Sequence, residues 1–168
     1  DPCTGLSAEL LYGVLEDSDL ITRAVRITNG GSAPVTLTNA GSLCLDFARG
    51  DMDVITFDGR HTMERIPHRR AVAPGVQSVG SGRGITSHQH NNFVVLCDHD
   101  ATETSGVAYG AALVYSGNFR AAVERSQFDH IRLVSGISPQ GFSWTLAPRA
   151  TFTPPEAAIA CSKAGLGG

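Results

Sequence analysis

Side-chain polarity along this chain alternates with a period of two. Nowhere does it sustain the 3.6-residue period of a capped helix, so the sequence calls for sheets. Leu20 to Thr28 illustrates the pattern: after Ile21, Thr22, Ala24, Arg26 and Thr28 fall on one side, and Arg23, Val25 and Ile27 on the other. β-branched residues in such alternation suit a half-buried strand. Asn29-Gly30-Gly31-Ser32 follows, and Asn and Gly accept the positive φ of a tight connection. Pro34 to Phe47 supplies a further strand or pair, with Val35, Leu37, Leu43 and Leu45 as candidate core. Val54 to Phe57 runs into a second turn signal, Asp58-Gly59.

The pattern continues downstream. Phe93 to Cys97 is an unbroken apolar run, as a strand buried on both faces requires. Tyr109 to Tyr115, Phe119 to Val123, Ile131 to Val134 and Phe142 to Leu146 read as strands. Ser116-Gly117-Asn118, Gln127-Phe128-Asp129 and Pro139-Gln140-Gly141 separate them with turn chemistry. Glu9-Leu10-Leu11 and Glu156 to Ala160 have some helical propensity, but the neighbouring Tyr12, Val14 and Leu15 and the Pro154-Pro155 pair favour extended chain. Many short strands at roughly 8–12-residue spacing predict one all-β domain, a mostly antiparallel sandwich or barrel.

Composition narrows the partners. Over 168 residues, 13 basic and 16 acidic side chains leave a net charge of −3. Nucleic acid and anionic membrane surfaces call for a clustered positive field, so neither is expected. No apolar run approaches the ~20 residues of a helical membrane span. The four cysteines, Cys3, Cys44, Cys97 and Cys161, form neither a C-x-x-C pair nor a mini-protein framework. Cys44 and Cys97 lie in apolar runs and read as buried free thiols, so a reducing, cytoplasmic compartment is expected.

The densest polar cluster is Gly80 to Phe93. As a phosphate loop it lacks the following helix and the Lys that such loops use. As a metal site it offers His88 and His90, which would point the same way on a strand. Gly82, His88 and His90 match the opening half of a cupin pattern, yet Val94 and Val95 stand where that pattern needs a Glu. Two neutral imidazoles make a poor divalent site without a carboxylate. The residues themselves favour a third reading: a Gly-rich crossing whose polar side chains hydrogen-bond neighbouring loops.

Other clusters are weaker. Asp98-His99-Asp100 opens like a calcium loop, but Glu103 occupies the position needing Gly. Arg60-His61, Glu64-Arg65 and His68-Arg69-Arg70 read as a solvated or subunit-facing strand, and Phe142 with Trp144 reads as core in preference to a sugar-stacking platform. A retaining glycosidase needs two carboxylates about 5–5.5 Å apart. Asp46, Asp51, Asp53, Asp98 and Asp129 lie at turns or strand ends with no pattern that nominates a pair.

Taken with its neighbours, the cluster strongly resembles the N-terminal β-sandwich of glycoside hydrolase family 36, the bacterial-type α-galactosidases or melibiases. The matching stretches run in family order. They begin with Tyr12-Gly13-Val14, Asp19 to Arg23, Glu64-Arg65 and Pro74-Gly75. Arg83 to Asn91, Tyr109-Gly110 and Leu113-Val114-Tyr115-Ser116-Gly117-Asn118-Phe119 follow, then Gly136-Ile137, Phe142-Ser143-Trp144 and Phe152-x-Pro154-Pro155-Glu156. Asn92 stands where the family usually has Pro, and Arg149-Ala150 replaces the usual Gly-Glu.

The resemblance implies a β-supersandwich, present here only in part, followed by a (β/α)₈ barrel beyond Gly168 that carries both catalytic aspartates. It implies retaining hydrolysis of terminal α-galactosides such as melibiose or raffinose. No family catalytic residue maps onto this chain, and no cofactor is expected. The segment alone is expected to be inactive, and the full-length enzyme to be a homo-oligomer. Asp1 and the Gly165-Leu166-Gly167-Gly168 terminus then read as cut ends. If so, an apolar surface should lie exposed where the rest of the enzyme would pack. The alternative is a free-standing carbohydrate-binding or cupin-like metal-binding module using His88 and His90.

Overall fold

A computed structural model describes every residue except Pro2. Among the described residues fourteen strands form in chain order: β1 (Leu6–Leu15), β2 (Leu20–Asn29), β3 (Val35–Leu37), β4 (Gly41–Phe47), β5 (Met52–Arg60), β6 (Met63–Ala71) and β7 (Gly75–Gly80). The rest are β8 (His90–Asp98), β9 (Ala108–Leu113), β10 (Phe119–Arg125), β11 (Ile131–Ile137), β12 (Trp144–Leu146), β13 (Thr151–Phe152) and β14 (Ala157–Ser162). A 3₁₀ turn, Glu16–Ser18, joins β1 to β2. The large sheet runs β1-β2-β14-β9-β8-β5-β6, with β13 also on β2. A four-stranded sheet runs β4-β11-β10-β7, and β12 pairs with β3. Every strand pairing is antiparallel, as the alternating pattern predicts.

The two larger sheets pack face to face and share one core. Met52, Val54, Val94, Leu96, Ala111, Leu113 and Ala157 enter it from the large sheet, and Leu43, Phe119, Ala121, Val123, Ile131 and Leu133 from the small one. Alternation makes this possible, because every second residue of a strand faces one way. Over Val94–Cys97 β8 is buried on both faces, as its apolar run predicts, whereas Phe93 at the head of that run is exposed. Val94 and Leu96 point into the core, while Val95 and Cys97 join Ile55, Ala101 and Ala108 in a second cluster behind it.

Coverage of the inner face fades toward β1. Val94 pairs with Ala111, Ala111 with Ile159, Ile159 with Ile21 and Ile21 with Val14, so all five share one face. Along that row exposure climbs from 2% at Val94 to 45% at Ile21 and 69% at Val14. β1 and the adjoining edge of β2 therefore overhang the small sheet.

Two turn signals fold differently from expectation. Asp58-Gly59 does not turn the chain: β5 continues to Arg60, and the reversal falls at His61-Thr62, with Thr62 at φ 69°. The pairing shifts between Asp58 and Arg60 instead, as in a β-bulge. Gly59 serves that shift, since a Cβ there would sit 2.8 Å from the Glu64 Cα. Asn29-Gly30-Gly31-Ser32 does end β2, but it leads to β3, which pairs with β12. Of the candidate core after Pro34, Leu37 and Leu43 are fully buried and Val35 and Leu45 only half so.

Candidate functional site

The Gly80–Asn92 segment crosses from β7 to β8 and is stitched to the loop between β9 and β10. Ser81 N donates to Phe119 O at 3.0 Å, and the Ser81 hydroxyl donates to Ile85 O at 2.6 Å, closing the Gly-rich turn. Gly84 N donates to Asn118 Oδ1 at 2.6 Å. Its φ of 87° is open to glycine and strained for other residues. Thr86 binds three carbonyls: its N–H donates to Ser116 O at 2.7 Å, and its hydroxyl lies 3.2 Å from Tyr115 O and 2.9 Å from Gly117 O. Asn92 Nδ2 donates to Leu113 O and Tyr115 O.

The two most distinctive motifs of the sequence thus form one clamp, and their polar groups are largely consumed in holding each other. Loops can sit this close to a sheet only when their backbone groups are paired. Asn91 Oδ1 is the exception, buried without a partner among the described residues. What remains free points outward: Arg83, Ile85, His88 and His90 are exposed.

His88 and His90 do not share a strand. Ser87 bridges to His90 around a tight turn containing His88 and Gln89, and only His90 belongs to β8. The same-face geometry expected of a His-x-His pair on a strand is therefore lost, because alternation holds only within extended chain.

The acidic side chains are held by arginines. Arg132 grips Asp46 through two bonds of 2.6 and 3.1 Å, Arg49 reaches Asp51 at 2.8 Å and Asp98 at 2.7 Å, and Arg125 reaches Asp129 at 2.9 Å. Asp53 is 4% exposed, with Arg69 Nε at 2.6 Å and His99 Nδ1 at 2.7 Å. Burial raises its pKa, but the bonds from His99 and Arg69 outweigh that and hold it below the usual carboxylate range. The Arg132 bond lowers Asp46, the Arg49 bond lowers Asp51, and the Val107 N–H lowers Asp98 with Arg49 assisting. Carboxylates tuned this way stay ionised, whereas a glycosidase acid must be tuned upward to donate a proton.

Arg69 lies on the strand read as solvated, and β6 is exposed along its whole length. Its guanidinium nevertheless folds over the β8–β9 connection and donates to Ala101 O, Asp98 O and His99 O at 2.6, 2.9 and 2.9 Å. The available signal was Asp53 itself, a charge between Met52 and Val54 that needs a partner once buried. Of the four free cysteines, Cys97 is buried and burial pushes its thiol up, Cys44 is half-buried against expectation, and Cys3 and Cys161 are exposed. Trp144 also departs from its core reading: it is 48% exposed, with its ring centroid 5.0 Å from that of Phe152.

On the outer face of the large sheet lies a groove of about 560 Å³, lined by Ile55, Phe57, Phe93 and Val95 together with Gly165 and Leu166. Phe57 and Phe93 stack there, centroids 5.4 Å apart.

Comparison with known proteins places this architecture. Residues 1–147 match the model of the glycosyl hydrolase family 36 N-terminal domain. The bifunctional alpha-galactosidase/sucrose kinase AgaSK of Mediterraneibacter gnavus is 45% identical over 96% of the chain, which spans 17% of that protein. Alpha-galactosidase Mel36A of Lactobacillus acidophilus is 40% identical over 99% of the chain, which spans 23% of it. The crystal structure of the alpha-galactosidase AgaA A355E from Geobacillus stearothermophilus with 1-deoxygalactonojirimycin superposes with a TM-score of 0.96 at 40% identity, covering 99% of this chain and 23% of that one. The chain thus spans less than a quarter of the relatives it matches.

Proposed function

Since the chain belongs to glycoside hydrolase family 36, as sequence of its N-terminal domain, we propose that it is a non-catalytic β-sandwich segment of a retaining α-galactosidase. Its work is to hold a rigid scaffold against the catalytic (β/α)₈ barrel that follows it and to support assembly of the enzyme as a homo-oligomer. The enzyme's substrates are terminal α-galactosides of the melibiose and raffinose type. Relatives of the same family have been crystallised with raffinose and with stachyose, which supports that class. Exposed thiols at Cys3 and Cys161 suit a reducing, cytoplasmic compartment.

One observation carries the non-catalytic reading. Most of the polar groups that make this sequence distinctive, those of Ser81, Thr86, Asn92 and Asn118, are spent on the clamp between the Gly80–Asn92 segment and the β9–β10 loop, and the carboxylates most open to a catalytic role are locked on arginines and held in the ionised form. A double displacement needs one carboxylate free to attack the anomeric carbon and a second able to donate a proton. The test is direct. The pure 168-residue chain is incubated with p-nitrophenyl α-galactoside beside the full-length enzyme. Release of p-nitrophenol is expected from the enzyme alone, and release by the chain would overturn the reading.

A further inference from the structure

Asn29-Gly30 is the one Asn-Gly step in the chain, and the residue pair that suits a tight connection also carries a reactivity. Asparagine is a thermolabile residue. A following glycine has no side chain to shield its backbone nitrogen, so that nitrogen can reach the Asn side chain. The Gly30 N–H gives its proton to solvent base, the nitrogen lone pair bonds to Asn29 Cγ, and Nδ2 leaves as ammonia, closing a succinimide ring. Water then opens the ring at either carbonyl. The product is aspartate or, with the backbone rerouted through Cγ, isoaspartate. One water is consumed and one ammonia released, with no oxidant and no cofactor.

The fold withholds every freedom this reaction needs. Asn29 is fully buried, and its carboxamide is fixed by bonds of 2.9 Å to Ala33 O, to Leu146 O and from Gly31 N. Both hydrogens of Nδ2, the leaving group, are thereby given to carbonyls. The attacking nitrogen is occupied too, since Gly30 N donates to Gly5 O at 2.9 Å. Arg149 N donates to Asn29 O at 2.7 Å, and Asn29 N donates to Ala150 O at 3.0 Å. Gly30 itself is exposed, so water reaches the dipeptide once these bonds open. The last two bonds come from the loop between β12 and β13, where Arg149 sits at a φ of 64°, a strained conformation for arginine. Strain of that kind makes the loop the first of the restraints to open.

We infer that Asn29-Gly30 is a latent modification site: silent in the native fold, it deamidates when the β12–β13 loop opens, and its product keeps that corner from closing again. The new carboxylate would face the Ala33 and Leu146 carbonyls with no proton to give. Isoaspartate also lengthens the backbone at the end of β2. Opening of this corner is thus made irreversible by a covalent change at a named atom.

The test follows the full-length protein in mildly alkaline buffer, native and in urea, through its tryptic peptide Ile27–Arg49, resolved by chromatography and mass spectrometry. The same peptide carries Asn39, exposed and followed by Ala40, as an internal reference. In urea Asn29 should react well ahead of Asn39. In native protein the ratio of Asn29 to Asn39 deamidation should fall about a hundredfold or more, because the reaction at Asn29 must await opening. A native ratio within about tenfold of the urea ratio overturns the silencing. Arg149→Gly, which relieves the strained φ, should lower the native ratio further and leave the urea ratio unchanged. A native ratio equal to that of the parent protein would overturn the role given to the loop. Hydrogen exchange on protein warmed below its thermal midpoint tests the consequence. Deamidated molecules should have lost slow exchange over Leu20–Asn29 while unmodified ones in the same sample retain it. Deamidated molecules with native protection would overturn the irreversibility. None of these readouts depends on catalysis.

Discussion

Asn29 offers the sharpest test of how this sandwich holds together. It ends β2 fully buried, and its side chain makes three bonds: Nδ2 to Ala33 O and to Leu146 O, and Oδ1 from Gly31 N, each 2.9 Å. The bond to Leu146 O ties the large sheet to the β3–β12 pair and lies in the interior. The other two are partly open to water. Asn29→Ala removes the buried bond to the Leu146 carbonyl, at about 1–3 kcal/mol, and each outer bond adds about 0.5–1 kcal/mol. The sum is about 2–5 kcal/mol. With a urea dependence of about 2 kcal/mol per molar, the midpoint should fall by about 1–2.5 M. Trp144, the only tryptophan, lies two residues from Leu146 and reports the transition by fluorescence, with circular dichroism checking that both probes coincide.

Asn29→Asp sharpens the test. A carboxylate would face two carbonyl oxygens and keep a single donor, so burial and repulsion raise its folded pKa above the ~3.9 of the unfolded chain. The deficit should be least in acid, where the group is protonated in both states. It should grow as pH rises past the unfolded value, until at neutral pH it exceeds that of Asn29→Ala. A midpoint shift under about 0.3 M for Asn29→Ala, or identical pH profiles for the two variants, would refute the reasoning.

Arg69→Met leaves the buried Asp53 carboxylate to His99 alone and frees three carbonyls, and should cost about 3 kcal/mol in urea unfolding. The wild-type chain should lose stability as pH falls through the lowered native pKa of Asp53, since its bonds to His99 and Arg69 contribute fully only above the unfolded pKa, and Arg69→Met should flatten that part of the profile in part, the His99 bond remaining. Thr86→Val keeps the shape of the clamp and removes the hydroxyl shared by Tyr115 O and Gly117 O, so a loss of about 1–2 kcal/mol is expected, with faster hydrogen exchange confined to Ser116–Asn118. Arg149 holds a φ of 64°, where the family pattern usually has Gly; Arg149→Gly should raise the urea midpoint, gaining about 0.5–1 kcal/mol. Arg132→Ala removes only an exposed partner of Asp46 and should leave the thermal midpoint unchanged within error.

The strands were legible because alternation is a local property. β2, β8, β10 and β11 could be read from their own residues, and the apolar run of β8 announced burial on both faces, which holds for Val94–Cys97 and not for Phe93. The third reading of the Gly80–Phe93 cluster was legible too, since closely spaced Gly, Ser, Thr and Asn favour loop hydrogen bonding over chemistry. Its partner was not, because Gly84 meets Asn118 across 34 residues and nothing local signals that distance. Asp58-Gly59 misled for a related reason. The dipeptide permits a turn, but pairing with β6 and β8 on both sides drew the strand onward to Arg60 and put a bulge there instead.

By itself the sequence determined an all-β antiparallel domain with the N-terminal-domain motifs of family 36, because side-chain period and motif order are written residue by residue. Tertiary structure alone decided that Asn29 is a buried hub, that His88 lies in a turn, that Arg69 reaches back to Asp53, and that β1 stands uncovered. Each of those depends on which distant strand lies opposite, and burial is set by that neighbour.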